Sequence, residues 1–219
     1  MPAKPSAVIF DVEGTLVNCV ALVLESWRNT LAEAGLALTS RQLQPYSGMD
    51  GREMLDHLLP QASPRQKRHL LDAQGERYRR AYLGLAQPFE RVESLFIALR
   101  RRRLLLGIAT TCKRDELDGY AEKMAGVLAQ VDAVASGDDV NRGKPHPDLY
   151  EVVLRRMGLA YGASGIAIGD TPYDAIAASK VGLRAVGVLT GGFSSEALRA
   201  AGCDLVLDRV ADLVLHLEC

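Results

Sequence analysis

Apolar positions along the chain fall into two alternating patterns. Short continuous runs recur, each stopped by polar or glycine residues. Ala7–Phe10 precedes Asp11 and Gly14-Thr15, and residues 104–109 precede Thr110-Thr111. Residues 166–168 precede Gly169-Asp170, and residues 185–189 precede Thr190-Gly191-Gly192. Runs this short, bounded by turn residues, predict buried strands. Residues 131–134 and 205–207 are weaker candidates. Between the runs the spacing is helical. Leu149, Val152, Val153 and Met157 mark one face of a helix over 147–157, with Gly158 placed to end it. Pro172 suits the first turn of a helix running toward Gly182. Strands buried on both faces and alternating with helices predict a parallel α/β sheet, in which ligands bind beyond the carboxyl ends of the strands.

Residues 15–92 break this alternation. They hold no convincing strand. Val20, Val23, Leu24, Trp27, Leu31 and Ala34 follow helical spacing up to Gly35, and further helices are expected near 51–59 and 64–83. A plain βαβ unit takes about 30 residues, far fewer than separate the first two strong strands. The excess predicts a helical insert of about 70 residues after the first strand. The expected division is an α/β core over 1–16 and 89–219 and a helical insert over 17–88.

Composition narrows the function classes. At 219 residues, 48% hydrophobic and 24% charged, the chain can bury a sizeable core. A net charge of −1 argues against a general nucleic-acid binder. No apolar run approaches the roughly 20 residues that span a bilayer, and the first run is too short for a signal-peptide core. The expectation is a cytoplasmic protein without a membrane partner. Cys19, Cys112, Cys203 and Cys219 are widely separated, which suits reduced thiols more than disulfides or a zinc site.

The chemistry-bearing residues sit at strand ends and loops. They are Asp11-Val12-Glu13-Gly14-Thr15-Leu16, Thr110-Thr111, Gly143-Lys144-Pro145 and Gly169-Asp170-Thr171-Pro172-Tyr173-Asp174. Singly, each has a bland reading as a turn or a helix cap. If Asp11, Glu13, Asp170 and Asp174 converge, they require compensating cations or protons. Oxygen ligands without His or Cys favour a hard cation such as Mg²⁺. Lys144 adds positive charge, and Thr110 with the amides around Gly14 and Thr111 suits phosphate oxygens. Such a set fits phosphoryl transfer, which depends on positioning and charge stabilisation.

These four segments, in this order, resemble the motifs of the haloacid dehalogenase (HAD) superfamily, and the likeness runs through nearly the whole chain. The insert resembles the type-1 cap of the phosphoglycolate phosphatase and β-phosphoglucomutase branch. The resemblance implies a Rossmann-like core and an Mg²⁺-dependent phosphatase acting on a small phosphorylated metabolite, as a monomer or homodimer. Asp11 would be the nucleophile that forms an aspartyl-phosphate. Asp11, the backbone carbonyl of Glu13 and Asp170 would hold Mg²⁺. Gly14, Thr110, Thr111 and Lys144 would bind the phosphoryl group, with Lys144 also orienting Asp11. Asp174 would support Lys144 and the water on the metal.

One position departs from that pattern. Phosphatases of this family carry Asp where this chain has Glu13. Glutamate keeps the acid but adds a methylene and a torsion, and proton transfer depends on hydrogen-bond reach. The readings are an adapted acid–base, a slowed enzyme or HAD-fold binding protein, and a phosphomutase-like transferase. The dehalogenase branch needs no metal, and the phosphonatase branch needs a cap lysine, for which Lys67 offers only a charged-helix context. In the insert, Arg52 follows Tyr46-Ser47-Gly48-Met49-Asp50-Gly51, a loop similar to the one that reaches the active site in this branch. Arg52 is a candidate to read an anionic substrate group, or a surface arginine opening a helix. Cys112, Lys113 and Cys19 are candidates to line the entrance. Arg100 to Arg103 read as a solvated helix end, and Trp27 as core.

Overall fold

The computed structural model describes residues 5–216, so Cys219 lies outside the described residues. Six parallel strands form the central sheet: β1 (Ala7–Phe10), β4 (Leu105–Ala109), β5 (Ala133–Ala135), β6 (Gly165–Gly169), β7 (Arg184–Val188) and β8 (Cys203–Leu207). Their order is β5-β4-β1-β6-β7-β8. Two short strands, β2 (Val17–Asn18) and β3 (Gln87–Pro88), pair antiparallel as a separate ribbon. The helices are α1 (Val20–Glu33), α2 (Ser40–Leu43), α3 (Gly51–Leu58), α4 (Pro64–Ala81), α5 (Val92–Arg101) and α6 (Arg114–Ala121). They continue with α7 (Ala125–Leu128), α8 (Asp148–Arg156), α9 (Pro172–Ser179), α10 (Ser195–Ala200) and α11 (Leu213–His216).

Side chains alternate across the sheet, as a two-residue repeat requires. Val8 and Phe10 of β1, Leu106 and Ile108 of β4, and Ile166 and Ile168 of β6 share one face with Val92, Leu95, Phe96 and Leu99 of α5. Phe10 and Phe96 lie with ring centroids 4.6 Å apart. Ile9, Ala109 and Ala167 point to the other face, against Leu149, Tyr150 and Val153 of α8 and Ala177 and Ala178 of α9. Covering both faces explains why the strands read as continuous apolar runs. Phe10 is in register with Ile108 on one side and Ile168 on the other. That register carries Asp11, Thr110 and Asp170 out at the same edge.

Helices α1–α4 form a bundle with its own apolar centre of Leu24, Trp27, Leu31, Leu43, Met54, Leu55 and Leu70. Trp27 is therefore core. Capping boxes start α2 at Thr39-Gln42 and α4 at Ser63-Gln66, where the side chains take up otherwise orphaned amides. The helices expected near 51–59 and 64–83 end at Leu58 and Ala81. The chain leaves and re-enters the core through the β2–β3 ribbon, which the sequence reading missed. Two residues per strand are too few for an alternating pattern to register. The weak strand expected at 131–134 lies at Ala133–Ala135, and that at 205–207 begins at Cys203.

The arginine run closes α5. Arg100 Nη1 donates to Asp132 Oδ2 at 2.7 Å, Arg102 reaches the Val214 carbonyl, and Arg103 turns the chain with φ +61°. Cys19, Cys112 and Cys203 are free and buried. Among the described residues, no helix is long and apolar enough to cross a membrane.

Trp27→Ala removes the largest side chain of the insert's apolar centre. Large-to-small changes of this kind cost about 3–5 kcal/mol, and urea unfolding should show a loss of that size. Trp27 is the sole tryptophan, so far-UV circular dichroism is the suitable probe.

Candidate active site

The loop after β1 is tightly wound. The Val12 carbonyl accepts from Leu16 N at 2.8 Å and Val17 N at 2.9 Å, and Gly14 N donates to the Val17 carbonyl at 2.8 Å. Gly14 has φ +85°, and a Cβ there would lie 2.3 Å from Asp170 Oδ2. Both the turn and the close approach require glycine. Asp11 N continues the sheet by donating to the Ile168 carbonyl at 2.9 Å. The Asp11 carboxyl is thereby fixed above the central strand.

Lys144 is buried and contacts Asp11 Oδ1 and Asp174 Oδ1, each at 2.6 Å from Nζ. The Tyr150 ring lies beneath it, 5.8 Å from Nζ to the centroid. Asp174 sits in the first turn of α9. Its Oδ2 accepts from Thr171 Oγ1 at 2.6 Å and Thr171 N at 3.2 Å, and Tyr150 Oη approaches Oδ1 at 3.4 Å. Burial opposes the Lys144 charge, but the two carboxylates outweigh it and hold its pKa well above the ordinary lysine value. Burial pushes Asp11 up to about 6, against the pull of Lys144.

Asp170, just past the end of β6, is a third buried carboxyl of the site, outside the Lys144 ion pairs. Its Oδ1 accepts from Thr15 Oγ1 at 3.1 Å. Its Oδ2 is buried without a hydrogen-bond partner. Burial, then Asp11 and Asp174, push its pKa well above the carboxylate range. An orphaned buried oxygen beside a second carboxylate suits a hard cation. Among the described residues, no group of three or more His, Cys, Asp or Glu side chains forms a ready metal cage. Two carboxylates, a backbone carbonyl and water are instead the modest ligand set that Mg²⁺ accepts.

Glu13 departs from the expected convergence. Its carboxyl turns toward α6, where Tyr120 Oη donates to Oε1 at 2.8 Å, and Tyr120 Oη is 2.7 Å from Tyr78 Oη of α4. Burial pushes Glu13 up to about 8, with the Glu116 charge adding to the rise and the Tyr120 hydrogen bond opposing it. Thr110 is buried at the end of β4, and its Oγ1 accepts from Cys112 N at 3.2 Å. Its hydroxyl therefore takes part in a local turn at Cys112.

A cavity of about 330 Å³ opens between the insert and the strand ends. Glu13, Thr111, Cys112, Lys113 and Arg52 all line it. Cys19 is buried at the start of α1, its Sγ on the Val17 carbonyl, and is not part of that lining. Arg52 is already engaged within the chain, with Nε 2.9 Å from Asp50 Oδ1 and Nη2 2.6 Å from Asp50 Oδ2. Arg68 lines the same cavity and has no ion pair among the described residues.

The haloacid dehalogenase-like hydrolase family profile matches residues 8–188. The chain belongs to this family. It is 26% identical to pyrophosphatase PpaX of Bacillus velezensis, over 98% of this chain and 96% of that one. It is 30% identical to a phosphoglycolate phosphatase of Xanthomonas campestris pv. campestris, over 85% and 84%. A hydrolase structure from Pseudomonas syringae superposes with a TM-score of 0.89 at 26% identity, over 97% of both chains.

Several residues of this hydrolase's site escaped the sequence reading. Asp50 caps α3 and also reaches the core: Gly143 N donates to its Oδ2 at 2.7 Å, and Asp50 N donates to the Lys144 carbonyl at 3.0 Å. Tyr78, Tyr120 and Tyr150 carry no motif in the sequence, and only their hydroxyl partners reveal a polar task. An Asp directly before a helix start signals a cap, but nothing in that signal names a partner 93 residues away.

Lys144→Met would leave Asp11 and Asp174 buried without their cation. Breaking a buried ion pair from one side costs about 3–5 kcal/mol, so the variant should unfold correspondingly earlier in urea at pH 7. Repeating the titration at pH 5 should recover part of the loss, because Asp11 without its ammonium takes up a proton more readily.

Proposed function

We propose that this protein is an Mg²⁺-dependent phosphatase that hydrolyses a small phosphorylated metabolite through an aspartyl-phosphate on Asp11. The carrying observation is the buried Asp11 carboxylate, held by Lys144 beside an Asp170 oxygen that lacks a partner. The phosphatase names of the PpaX and phosphoglycolate relatives support the substrate class.

In this reading Asp11, Asp170 and the Glu13 carbonyl hold Mg²⁺. The ion, when bound, offsets the carboxylate charge and draws electron density from the phosphoryl oxygens. Lys144 and the amides near Gly14 and Thr111 orient the phosphoryl group, while Thr110 shapes the turn that presents those amides. An Asp11 oxygen attacks phosphorus as the bond to the leaving oxygen breaks. Glu13 gives its proton to that leaving oxygen. It then accepts a proton from the water that attacks the aspartyl-phosphate, which releases inorganic phosphate and restores both residues. A carboxyl whose pKa is raised to about 8 is protonated at neutral pH, as an acid in the first step must be.

We read residues 17–88 as a cap over a core of 1–16 and 89–219. A cavity of about 330 Å³ falls at the lower end of the range for small-molecule sites. Its wall mixes signs: Arg52 is paired with Asp50 and Lys113 faces Asp72, which leaves Arg68 as the lining cation without an ion pair among the described residues.

Phosphate release from an aryl phosphate and from a panel of phosphometabolites should require Mg²⁺. Asp11→Asn should abolish it, with a fall of at least about 10³-fold in kcat; activity that survives this change removes Asp11 as nucleophile. Mg²⁺ alone should raise the Tm of the purified protein, and Asp170→Asn should cancel that rise without any substrate present.

A further inference from the structure

We propose that Tyr120, backed by Tyr78, is the positioning residue that lets a glutamate serve at position 13. This rests on the proposed acid–base role of Glu13 and deepens it. Glutamate has one more torsion than aspartate, so its carboxyl sweeps a larger volume. Unrestrained, that freedom would spread the acid over positions that differ by more than the distance proton transfer tolerates, and a misplacement of about 1 Å can cost about 10²-fold.

The structure supplies the restraint from two elements at once. Tyr120 comes from α6 of the core and Tyr78 from α4 of the insert, and both rings are fully buried. Tyr120 Oη is 2.8 Å from Glu13 Oε1 and 2.7 Å from Tyr78 Oη. A phenol has one proton to donate. Tyr120 spends it on Glu13, so Tyr78 must donate to Tyr120. The hydrogen bonds therefore run in one direction, from Tyr78 through Tyr120 to Oε1. Oε2 has no hydrogen-bond partner among the described residues, and Glu13 lines the cavity. The pair thus distinguishes two oxygens that are equivalent in a free carboxylate: Oε1 is the anchored one and Oε2 the one left for substrate. Tyrosine is well suited to this, because a buried ring with two torsions loses little freedom in holding its hydroxyl still.

The test compares two esters. An alkyl phosphate needs a proton on its leaving oxygen, whereas a 4-nitrophenyl phosphate leaves as a stabilised anion and needs none. The quantity read is kcat/KM, which covers only the steps through the first phosphoryl transfer. Tyr120→Phe should lower it about 10- to 100-fold for the alkyl ester and less than about 3-fold for the aryl ester. Tyr78→Phe should give the same split with a smaller amplitude, and the double variant should be no worse than Tyr120→Phe alone, because Tyr78 acts through Tyr120. Equal falls on both esters, or no change on either, would overturn the proposal. Glu13→Gln is the reference. If it lacks the split, the acid role of Glu13 itself fails; if it shows the split and Tyr120→Phe does not, only the positioning role fails. Should the wild type hydrolyse neither ester, crystal structures of wild type and Tyr120→Phe decide. Several Glu13 rotamers in the variant would uphold the restraint, and an unchanged single rotamer would refute it.

Discussion

Lys144 lies almost wholly out of water, with Asp11 and Asp174 each 2.6 Å from its Nζ. Charges taken from water this completely must be paired and hydrogen-bonded or they become neutral. Each of the three comes from a different part of the fold. Asp11 ends the central strand, Asp174 sits in the first turn of α9, and Lys144 hangs from the loop before α8. The triad holds only if the sheet register, the start of α9 and that loop are all correct to within a hydrogen bond. Thr171 fixes the far oxygen of Asp174, and the Asp50 amide fixes the Lys144 backbone. The ion triad thus ties the sheet, two helices and the insert into one arrangement.

Asp170 shows the complementary constraint. Here the chain keeps space open where it could have filled it. Besides Gly14, Gly191 crowds the same carboxyl, and a Cβ on it would fall 1.8 Å from Oδ2. An oxygen enclosed by two glycines and given no donor retains its full capacity to bind something else. That free capacity is the physical basis for reading a cation into the site.

Much of this was legible in the sequence, because strong signals there are local. The apolar runs ending in Asp11, Thr110 and Asp170 marked the strands and the edge where their chemistry gathers. The length of chain after Thr15 announced the insert, and Pro172 announced the start of α9. What stayed hidden was long-range pairing. The sequence marked Glu13 as the odd position, but not that Tyr120 anchors one of its oxygens. For Arg52 the sequence left open a reader of anionic groups or a surface arginine opening a helix, and neither reading named Asp50, two residues back, as its partner. The β2–β3 ribbon was too short to leave a periodic trace. Tyrosines on helix faces read as packing, since nothing in a spacing pattern distinguishes a ring that fills space from one that also presents its hydroxyl.

On the cavity side, the seam between insert and core is sewn with polar thread. Gln44 Nε2 donates to the Gly191 carbonyl at 2.7 Å, Tyr173 Oη donates to the Pro45 carbonyl, and Gly143 N donates to Asp50 Oδ2. Lys113 and Asp72 face each other at 3.9 Å across it. Contacts of this kind trade for water at little net cost, and the charged ones weaken as salt is added. Beneath that rim the seam changes character: Tyr78 of the insert is buried in one apolar cluster with Leu117, Tyr120 and Met124 of the core, with Val23 and Leu83 packed against it. Salt therefore loosens only the outer layer of the joint, while the apolar layer below it keeps insert and core together.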